Sequence, residues 1–262
     1  MNTKLQVVKI GGNIIDHNDE FNAFLDDFSA IQTPKILIHG GGKMASFYSQ
    51  KLGLQTKMVD GRRITSKEDL AVVTMVYAGL INKKTVAYLQ SKQGDVVGLS
   101  GADMNCIQSV KRPVFSTDFG YVGDVVQVNS SAINGFLKAG VCPVFCAITH
   151  DGKGQLLNTN ADTVAAEIAI AMSPFFETEL IYCFEKKGVL RDVDQENSII
   201  PELNQKQYGE MKKNGQIHAG MLPKLKNCFY ALQNGVQNVV VGNASILKAA
   251  DATGTRITFT YP

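Results

Sequence analysis

"VVKIGG", residues 7–12, places a lysine inside an apolar run and follows it with two glycines. β-branched residues favour a buried strand, and an ammonium group at the end of such a strand needs an anionic partner to offset its desolvation. The glycines beside it leave backbone with no side chains. The same design returns at His39-Gly40-Gly41-Gly42-Lys43, which follows the apolar run Ile36–Ile38. In open α/β sheets, ligands lie beyond the carboxyl ends of strands. Glycine there lets them approach backbone N–H groups that a helix N-terminus turns toward negative charge. Either loop alone reads equally well as a tight strand-to-helix turn, whereas two of them at two strand ends point to phosphate or carboxylate. Two familiar alternatives fail. Leu37 and Met44 stand where a Walker P-loop requires Gly and Ser or Thr, and no strand is followed by G-x-G-x-x-G.

Outward from these loops, short runs rich in Val and Ile alternate with segments of helical period, the pattern of an α/β fold with a mainly parallel, largely buried sheet. Strands are expected at Leu5–Ile10, Lys35–His39, Val96–Leu99, Val141–Ala147, Leu180–Phe184 and Asn238–Val241. Helices are expected at Lys43–Leu52, Glu68–Lys92, Ser130–Ala139, Ala161–Met172 and Met221–Asn234. The longest of these is apolar all round, so it is read as buried or as part of a dimer interface. Phe119–Val125, with two glycines bracketing alternating aromatic and β-branched residues, is read as a hairpin. A domain seam is expected near Leu156–Asn160, after the turn Asp151-Gly152-Lys153-Gly154. Two lobes on one sheet and two separate domains fit it equally.

The 262 residues are 45% hydrophobic and 19% charged, with 26 basic against 24 acidic side chains. A net charge of +2 gives no general attraction to polyanions, so nucleic acid and membrane are not expected partners. The five cysteines are odd in number and form no C-x-x-C pair, which leads to an expectation of reduced, buried thiols in a cytoplasmic protein.

A third loop, Asn158-Thr159-Asn160-Ala161-Asp162, collects amides and a carboxylate where a helix begins. Helix capping by Asn160 explains part of it; a functional role for Asp162 requires cationic partners. Lys9 and Lys224 are the candidates. Lys224 falls in the first turn of the helix framed by Gly220 and Pro223, where a cation works against the helix dipole. Two lysines in unfavourable places make sense if both face a polyanion. That is a site for phosphoryl transfer, where catalysis consists of aligning two anions and neutralising charge.

The ordered set Lys9–Gly12, His39–Gly42, Gly61–Thr65, Gly98–Gly101, Gly120–Gly123, Asn158–Asp162, Gly220–Lys224 and Gly254–Ile257 resembles the amino acid kinase family over nearly the whole chain. The resemblance implies a three-layer αβα sandwich. Residues 1–157 would form an N-terminal lobe for an acyl amino acid and for dimerisation, and residues 158–262 a C-terminal lobe for ATP. Within the family it points to the branch that phosphorylates the side-chain carboxylate of N-acetylglutamate, the second step of arginine biosynthesis. The resemblance makes Lys9, Lys224 and Asp162 catalytic: the lysines hold the transferring group and Asp162 orients them. It places Gly41, Gly42, Arg63 and Asn158 on the acyl substrate, and Gly11, Gly12, Glu185, Gly188 and Gly220 on the nucleotide. ATP would come with Mg²⁺ held mainly by its own phosphates, with no metal-ligating residues in the chain.

Departures from the family pattern leave other readings open. Phe184-Glu185-Lys186-Lys187-Gly188 replaces a small, aspartate-containing stretch, so the nucleotide contacts are rebuilt or the nucleotide is held differently. Met104 stands where the family tends to have a flexible turn near the acyl pocket, which leaves N-succinylglutamate as an alternative substrate. The first strand begins almost at once, so the expectation is a homodimer without the N-terminal helix that links arginine-inhibited members into hexamers. Another kinase activity of the same fold and a non-catalytic small-molecule sensor remain as competitors.

Overall fold

The computed structural model describes residues 3–59, 62–192, 194–217, 219–248 and 254–259. Gly61, one of the motif residues, lies outside them. Among the described residues an eight-stranded sheet forms the centre, in the order Glu202–Asn204, Thr255–Thr258, Asn238–Gly242, Glu177–Cys183, Lys4–Ile10, Lys35–His39, Cys142–Cys146, Val96–Leu99. Its pairs are parallel except where Thr255–Thr258 runs antiparallel to Asn238–Gly242. The pleat sorts side chains to two faces. Leu5, Val7, Ile36, Ile38, Leu180 and Tyr182 point into one core, shared with the Ala161–Met172 and Leu222–Gln233 helices. Val8, Ile10, Leu37, Ile181 and Cys183 point into the other, shared with helices at Asn18–Ser29, Gly42–Lys51 and Lys67–Thr74. A sheet buried on both faces between helices is the expected three-layer αβα sandwich. Lys9 lies on the first face, in register with Ile38 and Tyr182, so the strand itself aims its ammonium toward the Ala161–Met172 helix.

One continuous sheet crosses the expected seam, because Glu177–Cys183 pairs along the whole of Lys4–Ile10. Leu156–Asn158 is itself a strand of a smaller four-stranded sheet, with Ile148–His150, Ile107–Lys111 and Gly123–Val128. The Phe119–Val125 hairpin is corrected here. Its residues do not fold back on one another; Gly123–Val128 pairs antiparallel with Ile107–Lys111 instead. Gly120, at φ +70°, lets the chain lie against Thr65, whose carbonyl a Cβ at that position would strike.

The expected helix over 68–92 is present but not uniform. Ser66 and Asp69 form a reciprocal cap at its start. Wide π-helical turns occupy Met75–Ile81 before α-helix resumes at Asn82–Ser91. The whole Lys67–Ser91 helix is long and apolar enough to cross a membrane by length and composition, which the sequence reading did not anticipate. Its Leu70, Val72, Val73, Val76, Tyr77, Ile81 and Leu89 are nevertheless buried in the protein's own core. The helix Asn18–Ser29 was missed, although Phe21, Phe24, Leu25 and Phe28 keep the i, i+3, i+4, i+7 spacing and are all buried. The five cysteines are free and buried.

Candidate active site

Lys9, Asp162 and Lys224 come from three distant parts of the chain and meet at the carboxyl edge of the sheet. Lys9 Nζ lies 2.7 Å from Asp162 Oδ1, and Lys224 Nζ lies 2.8 Å from Asp162 Oδ2. Lys9 and Asp162 are each 7% exposed. Asp162 sits in the first turn of its helix, where Asn160 Oδ1 caps by accepting the N–H groups of Asp162 and Thr163. Tyr182 Oη donates to the Asp162 carbonyl at 2.7 Å and ties that turn to the sheet. Burial by itself would raise the Asp162 carboxyl, but Lys9 and Lys224 outweigh it and hold the group well below the usual carboxylate range. Burial lowers the Lys9 ammonium from its ordinary value, partly opposed by Asp162 and reinforced by Lys224. A buried lysine and a partly exposed one sharing one anion leave a positive charge at this point, which an incoming phosphate would neutralise.

Two cavities meet there. The first, about 420 Å³, is lined by Lys9, Gly12, Gly40–Gly42, Arg63, Tyr77, Asn158 and Asp162 among others. The second, about 450 Å³, is lined by Lys9, Gly11, Gly12, Glu185, Gly220 and Lys224 among others. Lys9 and Gly12 belong to both walls. In the first cavity Arg63 is 7% exposed and fixed from several sides. Its Nη1 donates to Thr56 Oγ1 at 2.9 Å, its Nη2 to Ser46 Oγ at 2.7 Å and to the Gly42 carbonyl at 3.0 Å, and Asp69 Oδ1 lies 3.7 Å away. Asn158 Nδ2 donates to Thr65 Oγ1 at 3.0 Å, which leaves its carbonyl oxygen for a donor on a ligand. Gly41 has φ +145°, and a Cβ there would run into Ile81 and Tyr77, so glycine is required.

Residues 4–243 match the amino acid kinase family. The chain belongs to that family. An acetylglutamate kinase of Bacteroides thetaiotaomicron is 50% identical over 98% of this chain and 99% of its own length. An acetylglutamate kinase of Phocaeicola vulgatus is 49% identical, over 97% of this chain and 98% of its own. A Streptococcus mutans protein of known crystal structure superposes with a TM-score of 0.81 at 26% identity, covering 98% of this chain and 99% of that one.

Within this amino acid kinase site, the structure brings together the three residues expected to be catalytic and the four expected on the acyl substrate. Of the residues expected on the nucleotide, Gly11, Gly12, Glu185 and Gly220 line the second cavity. Gly11 gives its N–H to the Cys183 carbonyl at 2.8 Å, so it supplies room and not a donor. A Cβ at Gly12 would meet nothing within 4 Å, leaving the backbone open to an incoming group. Gly188 is not among the residues lining this cavity; a Cβ there would press on Thr255 Oγ1 at 2.7 Å and Ile199 at 2.9 Å, so the glycine serves packing. Met104 is 65% exposed on the turn Asp103–Asn105 and does not line the first cavity. The expectation that it shapes the acyl pocket is therefore not supported by its position. The sequence reading missed Ser46, Tyr77, Arg62 and Arg112, which line the first cavity. Arg62 lay inside the Gly61–Thr65 motif without being assigned a role, and no spacing rule marks the other three, since each comes from a separate part of the chain. Asp69 was missed as well; the Ser66-x-x-Asp69 spacing could have marked it as a cap, but not its place behind Arg63.

Proposed function

We infer that the protein is an ATP-dependent phosphotransferase that moves the γ-phosphoryl group to the side-chain carboxylate of N-acetylglutamate, the second step of arginine biosynthesis. The observation that carries this reading is the Lys9–Asp162–Lys224 cluster at the junction of the two cavities. A carboxylate acceptor and the γ-phosphate are both anionic, and they repel as they approach. Lys9 reaches both cavities and Lys224 lines the second, so the charge on the transferring group meets an ammonium from either side. An acceptor oxygen bonds to phosphorus while the bond to the departing diphosphate oxygen breaks, and no proton need move. Asp162 orients both lysines and stays ionised throughout.

Arg63 is assigned to the α-carboxylate of the acceptor, Asn158 to the neighbouring amide region, and the backbone of Gly41 and Gly42 to acceptor oxygens. Gly12 is assigned to phosphate, with Gly11 and Gly220 giving clearance and Glu185 facing the nucleoside side. Among the described residues no group of three His, Cys, Asp or Glu could hold a metal, and both Asp162 oxygens face lysines. These residues fit a Mg²⁺ ion carried on ATP and not one caged by protein; when bound it adds neutralising charge to the phosphates.

The acyl-binding lobe is placed at residues 1–157 and the ATP lobe at 158–262, side by side on the common sheet. A homodimer through the Lys67–Ser91 helix is supported by its exposed Met75 and Leu80, with Phe47 and Tyr48 exposed on the helix packed beside it. Free, buried cysteines support a cytoplasmic location. Acyl phosphate formed from Mg²⁺-ATP and trapped with hydroxylamine tests the central reading. N-acetylglutamate is expected to give the hydroxamate and N-succinylglutamate to give less. Absence of product with either acyl amino acid, while ATP still binds, overturns it.

A further inference from the structure

His39 ends the strand that leads into the glycine loop, and its side chain is wholly buried under that loop. Its Nδ1 lies 3.0 Å from the Gly40 carbonyl oxygen, and its Nε2 lies 3.1 Å from Asn82 Nδ2. The Asn82 amide has one possible orientation. Its nitrogen also reaches the Val144 carbonyl at 2.9 Å, which only accepts, and its oxygen receives Lys83 Nζ at 3.2 Å, which only donates. Asn82 therefore donates to Nε2, the ring proton sits on Nδ1, and that N–H donates to the Gly40 carbonyl. Burial pushes the imidazole pKa down to about 4, so the ring stays neutral near pH 7.

The Gly40 carbonyl and the Gly41 N–H share one planar trans peptide and point in opposite directions. Glycine on both sides would let this peptide flip at small cost. Asn82 itself reaches His39 because it follows the wide turns Met75–Ile81, whose Tyr77 and Ile81 pack against Gly41. We propose that His39 and Asn82 are positioning residues that hold the Gly40–Gly41 peptide in one orientation, with the Gly41 N–H directed into the first cavity as a donor to the acceptor substrate.

The role rests on the acyl amino acid kinase reading, and steady-state kinetics separate the two. His39→Asn keeps an amide nitrogen where Nδ1 stands; His39→Gln moves it to the place of Nε2 and leaves the Gly40 carbonyl without its donor. The expected result is an N-acetylglutamate KM within about threefold of wild type for H39N. For H39Q the expectation is a rise of about tenfold, the scale of one lost hydrogen bond, with KM for ATP within about twofold in both. Equal KM values for the two variants, or an equal rise in KM for ATP, overturn the positioning role. Wild-type protein that turns over no N-acetylglutamate overturns the parent reading and this role with it. A measurement on the folded wild-type protein stands apart from any variant. Nitrogen-15 spectra of its 4 histidines, with His39 identified by its absence in H39N, are expected to show Nδ1 protonated at pH 7. The opposite tautomer overturns the proposal.

Discussion

The two cavities that meet at Lys9 are built differently. In the first cavity, proposed for the acceptor, two buried polar side chains are fixed by the protein: Arg63 has four neighbours that hold its guanidinium, and Asn158 is held by the buried Thr65. In the second cavity, proposed for the nucleotide, the walls combine glycine backbone and the buried Lys9 with half-exposed or exposed charge, and Lys186 pairs at 3.5 Å with the exposed Glu196. Rigid, preformed forks select a shape, whereas open backbone with solvated charge binds any polyphosphate that carries its own metal. If the two cavities take the acceptor and the nucleotide as proposed, the difference teaches that acceptor specificity would rest on side-chain placement, and nucleotide affinity on backbone and net charge.

Removing what both cavities share should have the largest effect. Lys224→Ala is expected to lower kcat by about 10²- to 10³-fold, the scale for one preorganised charge contact, with KM for N-acetylglutamate little changed. Kinetics close to wild type would remove Lys224 from the catalytic set. Asp162→Asn leaves two ammonium groups without a counter-charge, and breaking such a buried pair costs about 3–5 kcal/mol; urea titration measures it. The pH dependence follows from the sign of the shift. A carboxyl held below its ordinary 3.8 contributes stability above that value and loses it as pH falls toward the folded value. Wild-type Tm should therefore fall on acidification below about pH 4, and the fall should be shallower in D162N.

The contrast between the cavities is sharpened by two milder variants. Arg63→Lys replaces a fork with a point charge and is expected to raise KM for N-acetylglutamate about tenfold while kcat and KM for ATP stay near wild type. Glu185→Gln on the nucleotide side is expected to change KM for ATP by less than about threefold, as suits a solvated surface charge. If E185Q cost as much as R63K, the nucleotide cavity would be as strictly organised as the acceptor cavity, and the comparison would fail.

The alternation of apolar runs, the two glycine loops and the misplaced lysines made the α/β fold and the candidate site legible, because strand periodicity and the desolvation cost of a charge act locally. The family resemblance then ordered those loops into one site. Asn160 was equally legible as a cap, since its hydrogen bonds reach only two and three residues ahead. Other features depended on contacts between distant segments. Gly120 looked like a hairpin glycine but serves an approach to Thr65, and Gly188 looked like a phosphate glycine but packs on Thr255. Met104 sat close in sequence to a motif of the pocket and yet faces solvent. What the sequence by itself determined was which residues could not be ordinary: a lysine in a buried strand and glycines where a helix begins. Only the tertiary structure decided which of them meet, because a sheet eight strands wide brings Lys9, Asp162 and Lys224 to one edge from segments more than sixty residues apart.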